Sequence, residues 1–334
     1  MAKIIFISKG EIEMSFKQIL RKIKKTLDRP LAFTAIKLKT SFLYKKNLKN
    51  PKYETKLNKA LNKKERIYLN YFKKHYSYIL NIKKDNENNL NERPYIFIFW
   101  YQGFDKAPEL VKTCVESIKK HSCEYKVVLL DKDNFNRYID IPKNIKDKLD
   151  KGLLSIQNFS DYLRIKLLAK YNCLWIDSTI FAFKDIPLDY SKWSYFSIKS
   201  HILYKNKPEY LLYPDFPFGQ VYLLGGTNKR IYNQITLFFE DYLRNKNTFF
   251  EYFQVYYFFQ FLYKYDDEDK KIIDSLPYNN EHIEDYFYYR NEKFNKNYIC
   301  DNDVFAKLTY KTDATSALND PNSLLYHIIN EDFE

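Results

Sequence analysis

After Pro94 the chain is apolar for six consecutive residues, Tyr95 to Trp100. The run is too short for a helix and too uniform for a half-exposed strand, so it predicts a strand buried on both faces, closed by Tyr101-Gln102-Gly103. An amphipathic pattern from about Pro108 to Lys120 predicts a helix, and Tyr125 to Leu130 predicts a second strand ending at Asp131. Strand, helix and strand in that order point to a parallel sheet, whose ligands gather at the carboxyl ends of the strands. Gly103 and Asp131 fall at such ends. The chain has only six glycines, so Gly103 is expected to serve a turn or the close approach of a ligand.

The segment Asn158 to Thr179 carries the most chemistry. Ser160 reads as an N-cap, followed by a helix with a broad apolar surface from Leu163, Ile165, Leu167, Leu168 and Ala169. Asp161 and Arg164, three residues apart, then share one face of the first turn, where both could reach a ligand. Asn172 is placed to stop the helix in a left-handed backbone. Leu174 to Ile176 predicts a strand that delivers Asp177 to its carboxyl end, beside the hydroxyls of Ser178 and Thr179. A carboxylate there suits a divalent metal on a diphosphate. Each residue alone could be structural, Asp161 answering the helix dipole, Arg164 pairing with it and Asp177 starting a turn. Their combination is more specific.

Farther on, Val221 to Leu224 predicts another strand, Gly225-Gly226 a turn, and Ile231 to Leu243 a helix. Phe249 to Tyr263 predicts a helix crowded with aromatics, suited to core packing or to lining a cleft. Glu251 stands out there, because an acid within an apolar helix needs a partner or a task. Lys307 and Lys311 flank a short strand-like run, where solvated lysines are the common outcome. His327 is not assigned as a ligand.

Before Pro94 the pattern is helical. Ile12, Phe16, Ile19, Leu20, Ile23 and Leu27 recur at helical spacing among lysines and arginines, and Pro30 ends that helix. A second pattern runs through Leu61, Tyr68, Phe72, Tyr76 and Ile79, and the polar run Asp85 to Asn91 marks a boundary. We therefore expect a basic helical arm over 1–92 and an α/β body over 93–334.

Composition sharpens this division. The chain has 334 residues, 45% hydrophobic and 29% charged, with net charge +13. Residues 1–92 hold 23 Lys and Arg against 8 Asp and Glu, or +15, whereas residues 93–334 hold 32 against 34, or −2. A near-neutral body with a basic arm favours docking to an anionic surface and counts against a nucleic-acid groove through the fold. The arm reads either as an interfacial helix pair on anionic lipid or as a helical cap with solvated lysines. No apolar run is long enough to span a bilayer, and the first ten residues lack a signal-peptide cleavage site, so a cytoplasmic location is expected, with peripheral contact to the inner face of the plasma membrane. The four cysteines lack metal-ligand spacing and read as reduced thiols. There is no Gly-x-Gly-x-x-Gly and no phosphate loop.

The chain resembles the capsular polysaccharide synthesis family of glycosyltransferases, related to the DxD-motif transferases that include initiating yeast mannosyltransferases and the large clostridial glucosylating toxins. The residues that carry the likeness are Trp100-Tyr101-Gln102-Gly103 with Ala107-Pro108-Glu109-Leu110-Val111, Ser117-Ile118, Val128-Leu129-Leu130-Asp131, Phe159-Ser160-Asp161 with Leu163-Arg164, and Leu174-Trp175-Ile176-Asp177-Ser178-Thr179. A weaker continuation runs through Phe250-Glu251-Tyr252-Phe253 and Ala306 to Lys311. The resemblance implies a GT-A-like nucleotide-sugar-binding domain with a mixed, mostly parallel sheet. It also implies a hexosyltransferase that uses a UDP-linked donor, retains configuration, acts on a saccharide or lipid-linked acceptor in surface polysaccharide synthesis, and uses Mn2+ or Mg2+.

On that reading Trp100, Gln102 and Gly103 line the nucleoside pocket, and Asp161, Arg164 and Thr179 hold the nucleotide and sugar with Lys307 and Lys311. Asp177 is the metal ligand and a catalytic residue, and Glu251 positions the acceptor or stabilises developing sugar charge. The second DxD aspartate is Thr179, which weakens the case for a metal. Two rival readings remain: a nucleic-acid-binding protein using the basic arm and stacked aromatics, and a non-catalytic, membrane-associated assembly protein that keeps the transferase fold.

Overall fold

The computed structural model describes residues 30–82, 93–201, 219–247, 249–251, 254–311 and 314–332. The helix expected over Ile12 to Leu27 and the boundary run Asp85 to Asn91 lie outside the described residues.

Two long helices come first, α1 (Leu31–Lys49) and α2 (Glu54–Tyr76). The body follows as β1 (Tyr95–Phe99), α3 (Glu109–Lys120), β2 (Lys126–Leu130), α4 (Lys143–Asp150), α5 (Ile156–Lys170), β3 (Cys173–Ile176), β4 (Ile180–Ala182), β5 (Phe196–Ser197), β6 (Leu223–Gly225), α6 (Lys229–Asn245), α7 (Gln254–Tyr265), α8 (Asp267–Asp274), α9 (Asp285–Tyr288), β7 (Phe305–Lys307), α10 (Ala314–Leu318) and α11 (Leu324–Asn330). The protein is therefore α/β.

The main sheet has the order β2-β1-β3-β6-β5. β1 pairs in parallel with both β2 and β3, whereas β6 runs antiparallel to β3 and to β5. The uniformly apolar β1 thus occupies a central position, as a strand flanked on both sides and covered on both faces requires. β4 and β7 form a separate antiparallel pair, with Ile180 opposite Lys307.

Several local expectations are corrected. Helix α5 starts at Ile156, because Ser155 Oγ, not Ser160, accepts the amide of Asn158. Asp161 and Arg164 therefore stand past the first turn, and no helix N-terminus serves them. Asn172 has no left-handed backbone; α5 ends at Tyr171 in an extended conformation, and the Asn172 carbonyl instead accepts from Tyr95 N. Helix α7 starts at Gln254, so Phe249, Phe250 and Glu251 precede it.

The two leading helices share the body's main core. Phe33 and Tyr68 pack edgewise on Phe250, with ring centroids 4.6 and 4.5 Å apart, and Phe72 meets Phe258 at 5.1 Å. Phe238 stacks on Phe258 at 4.6 Å. The aromatic stretch from Phe249 onward is thus mainly core, and what it packs against includes the arm. Arg230 locks the exit of the arm: it donates to the carbonyls of Leu80 and Ile82 at 3.1 and 2.7 Å while pairing with the buried Asp266 and Asp269. Among the described residues no helix is long and apolar enough to cross a membrane.

Candidate active site at the strand ends

The carboxyl ends of the three parallel strands deliver Trp100 from β1, Asp131 from β2 and Asp177 from β3 to one edge of the sheet. Trp100 N hydrogen-bonds to the Leu130 carbonyl, and Lys132 N to the Tyr101 carbonyl, which fastens the first two strand ends together. Gly103 has φ +88 and its amide closes the turn on Trp100 O at 3.0 Å. No atom would obstruct a Cβ there, so glycine is required by the backbone angle and not by crowding. Gln102 is exposed on the same turn.

Arg164 is the hub. Its Nη2 lies 3.1 Å from Asp161 Oδ1 and 3.5 Å from Asp177 Oδ1, its Nη1 donates to Val221 O at 2.6 Å, and its guanidinium sits 5.1 Å from the centre of the Trp175 ring. Trp175 in turn donates its indole N–H to Asp177 Oδ1 at 2.8 Å. Arg164 is 6% exposed, so its cation is held almost dry between two carboxylates, with its planar fork fixed by a backbone carbonyl. Burial pushes the Asp161 carboxyl up to about 7; Arg164 opposes that rise and the Asp177 charge adds to it.

The opposite wall comes from β7. Lys307 donates its ammonium to Thr179 Oγ1, and Leu308 N donates to Thr179 O at 2.9 Å. Tyr310 then meets Trp100 edge to face at 5.3 Å. The segment after β7 thus crosses from the end of β3 to the end of β1 and joins the two halves of the site. Burial lowers the Lys307 pKa, and Asp177 is the first of the charges that resist this. Its Nζ also lies 5.5 Å from the Tyr222 ring centre, and Tyr222 donates to the buried Glu284 at 3.0 Å. Trp100 Nε1 is a buried donor with no hydrogen-bond partner among the described residues.

The structure therefore brings Trp100, Gly103, Asp161, Arg164, Asp177, Thr179 and Lys307 into one connected neighbourhood. Lys311 lies just beyond, exposed. Glu251 is placed elsewhere. Its carboxylate lies between Lys37 of α1 at 2.8 Å and Lys64 of α2 at 3.0 Å, and no hydrogen bond or ion pair among the described residues links it to the Arg164 group. The partner that its burial demanded is the arm, and the catalytic role expected of it has no support in this geometry. Sequence reasoning did not single out Trp175, Tyr222, Glu284 or Tyr310 as site residues. Trp175 and Tyr222 are ordinary strand residues by pattern, and only the antiparallel placement of β6 beside β3 gives Tyr222 its position.

The expected Mn2+ or Mg2+ does not fit the donors present. Asp177 offers a carboxylate whose Oδ1 already meets Trp175 and Arg164, Thr179 Oγ1 is held by an ammonium, and two cations flank the position. Among the described residues no group of three or more His, Cys, Asp or Glu side chains is arranged to hold a metal. A nucleotide-bound Mg2+ takes one or two carboxylates and completes its shell with phosphates and water, so what counts against it here is the positive charge of Arg164 and Lys307 beside the one carboxylate.

A family model described as capsular polysaccharide synthesis protein matches residues 45–328. No curated protein and no solved structure matches the chain.

Proposed function

The chain belongs to the capsular polysaccharide synthesis protein family, and from that premise we propose that it is a glycosyltransferase of capsule assembly. In this reading the body is a GT-A-like domain that moves a hexose from a nucleotide-sugar, with UDP the expected carrier, to a saccharide or lipid-linked acceptor on the cytoplasmic side of the membrane. The supporting observation is that the end of β3, on the sheet edge where α/β folds bind ligands, holds two cations, Arg164 beside Asp177 and Lys307 on Thr179.

Those cations define the chemistry. The bond that breaks joins the sugar's anomeric carbon to the diphosphate, and negative charge grows on the diphosphate as it leaves. Arg164, fixed by Asp161 and Asp177, and Lys307, fixed by Thr179, would stabilise that charge in place before the bond breaks, so little reorganisation is needed. Trp100 and the Gly103 turn would hold the nucleoside, with the free indole N–H available to an acceptor atom on it. Asp177 orients the guanidinium and shields the developing oxocarbenium. Retention of anomeric configuration belongs to the same proposal and rests on the likeness to the DxD transferases.

The test is a panel of nucleotide-sugars scored by thermal shift and then by donor hydrolysis. A ligand at 100 times its dissociation constant stabilises a protein by ~2.7 kcal/mol, readily seen as a melting shift. Stabilisation by one nucleotide class with slow release of its sugar supports the reading. Stabilisation without hydrolysis or transfer would favour a non-catalytic assembly protein, and no shift with any nucleotide would sink the proposal.

A further inference from the structure

Helix α1 is apolar on two opposite faces. One face, from Phe33, Ile36 and Leu43, is buried against α2 and the body. On the other side Leu31, Leu38 and Phe42 fall within an arc of about 40° at 100° per residue, and they are 89, 67 and 56% exposed. They extend over about 16 Å of helix. A single exposed leucine needs no explanation, but aligned apolar side chains on one helix face do.

Lysines border this stripe. Lys39, Lys45, Lys46 and Lys49 are exposed, pair with no described carboxylate, and share a helix that has no Asp or Glu. Lys46 Nζ rests 4.7 Å from the Phe42 ring centre, so the charged and apolar groups form one surface. Lys37 is the exception, turned to Glu251.

We propose that this face of α1 seats on an anionic lipid bilayer, with Leu31, Leu38 and Phe42 entering the acyl boundary and the four lysines at the headgroups. Charge decides among the occupants. A second copy would bring its own lysines to the contact with no acid to meet them, and a nucleic acid would use the lysines while leaving Leu38 and Phe42 in water. Anionic lipid satisfies both. The net +15 of residues 1–92 acts in the same direction. The inference concerns binding alone and stands whether or not the transferase reading does.

The full chain should co-sediment with phosphatidylcholine vesicles that contain phosphatidylglycerol and not with phosphatidylcholine alone. Each lysine near such a surface is worth ~fivefold in partitioning, and screening sets in beyond ~8 Å at physiological salt, so added salt should release the protein. Leu38→Ser with Phe42→Ser should weaken binding at least tenfold, and Lys45→Gln with Lys46→Gln and Lys49→Gln by ~100-fold. Both variants should keep the wild-type melting temperature, because the altered side chains are in solvent. Undiminished vesicle binding by the serine variant would overturn the proposal and move the contact to another segment, such as Ile12 to Leu27. So would equal binding to neutral vesicles. A fall in sedimentation mass with that variant, beside unchanged vesicle binding, would assign the face to a second copy.

Discussion

Lys307 donates its ammonium hydrogen bond to Thr179 Oγ1, two residues beyond Asp177. A protein cation therefore stands beside Asp177, pinned by the hydroxyl of Thr179. β7 pairs with β4 in a register that sets Lys307 opposite Ile180, next to Thr179.

We predict that excess chelator changes donor affinity less than twofold, whereas Lys307→Met lowers turnover about 10²- to 10³-fold, the usual cost of removing one preorganised electrostatic partner. Calorimetry of UDP and UDP-sugar binding with and without chelator, beside initial rates, would show this. Affinity that collapses in chelator and returns with manganese would restore the metal.

Asp177→Asn should lower turnover at least 100-fold with little change in melting temperature, since the amide oxygen can still accept from Trp175 but no longer carries charge toward Arg164. Arg164→Lys should be nearly as damaging, because an ammonium cannot meet Asp161, Asp177 and Val221 O at once with the geometry of a planar fork. A purified Asp177→Asn protein turning over at the wild-type rate would remove the strand end from the mechanism.

Asp161 should give the protein a pH signature. Its carboxyl, raised from 3.8 to about 7 mainly by burial, binds its proton more tightly in the fold than in the unfolded chain. Stability from this group is thus present at acid pH and is lost as pH rises through about 4 to 7. Function runs the other way, since only the ionised form holds Arg164. Donor affinity should strengthen between pH 6 and 8 in wild type (a window centred on that value) and be flat in Asp161→Asn. The melting temperature of wild type relative to that variant should fall across the acid window. A pH profile shared by both proteins would dismiss the assignment.

Glu251→Gln should destabilise by ~3–5 kcal/mol, since Lys64 is left buried without its counter-ion. Burial pushes the Glu251 carboxyl up, but Lys64 and Lys37 outweigh it and hold it below its ordinary range, so this contribution is present at neutral pH and fades in acid. Adding Lys64→Met should recover a large part of the loss. At temperatures where the Gln variant stays folded, turnover should lie within about twofold of wild type. A large rate loss in a fully folded variant would return Glu251 to the active site.

Much of the body was legible because its signals are local. The continuous apolar run Tyr95 to Phe99 fixed a central strand, and the segment from Phe159 to Thr179 placed Asp161, Arg164 and Asp177 close enough along the chain that helix and strand geometry could bring them together. What was not legible depends on distant partners. Helix α1 has no single-face periodicity, because its buried stripe through Phe33 and Ile36 and its exposed stripe through Leu31, Leu38 and Phe42 cancel. Lys307 reaches Thr179 only through the pairing of β4 with β7, 128 residues apart, and no spacing rule reports it. Ser160 has the residue type of a cap, but Ser155, five residues earlier, takes that place and Ser160 lies inside the helix. Glu251 carried a valid signal, a buried acid in need of a partner, but its lysines lie some 200 residues upstream.

The aromatic seam between the leading helices and the region from Phe249 to Phe258 also has a consequence in time. Phe33 and Phe250 are neighbours in space, yet a ribosome adding ~5–20 residues per second needs roughly 10–40 s to travel from one to the other. Throughout that interval α1 and α2 can pack on each other, as Phe33 does on Tyr68, but the aromatics of the Phe249 to Phe258 region that complete their burial are missing. Truncated or stalled nascent chains that stop short of residue 250 should therefore be held by chaperones or aggregate, and release should coincide with synthesis of α7.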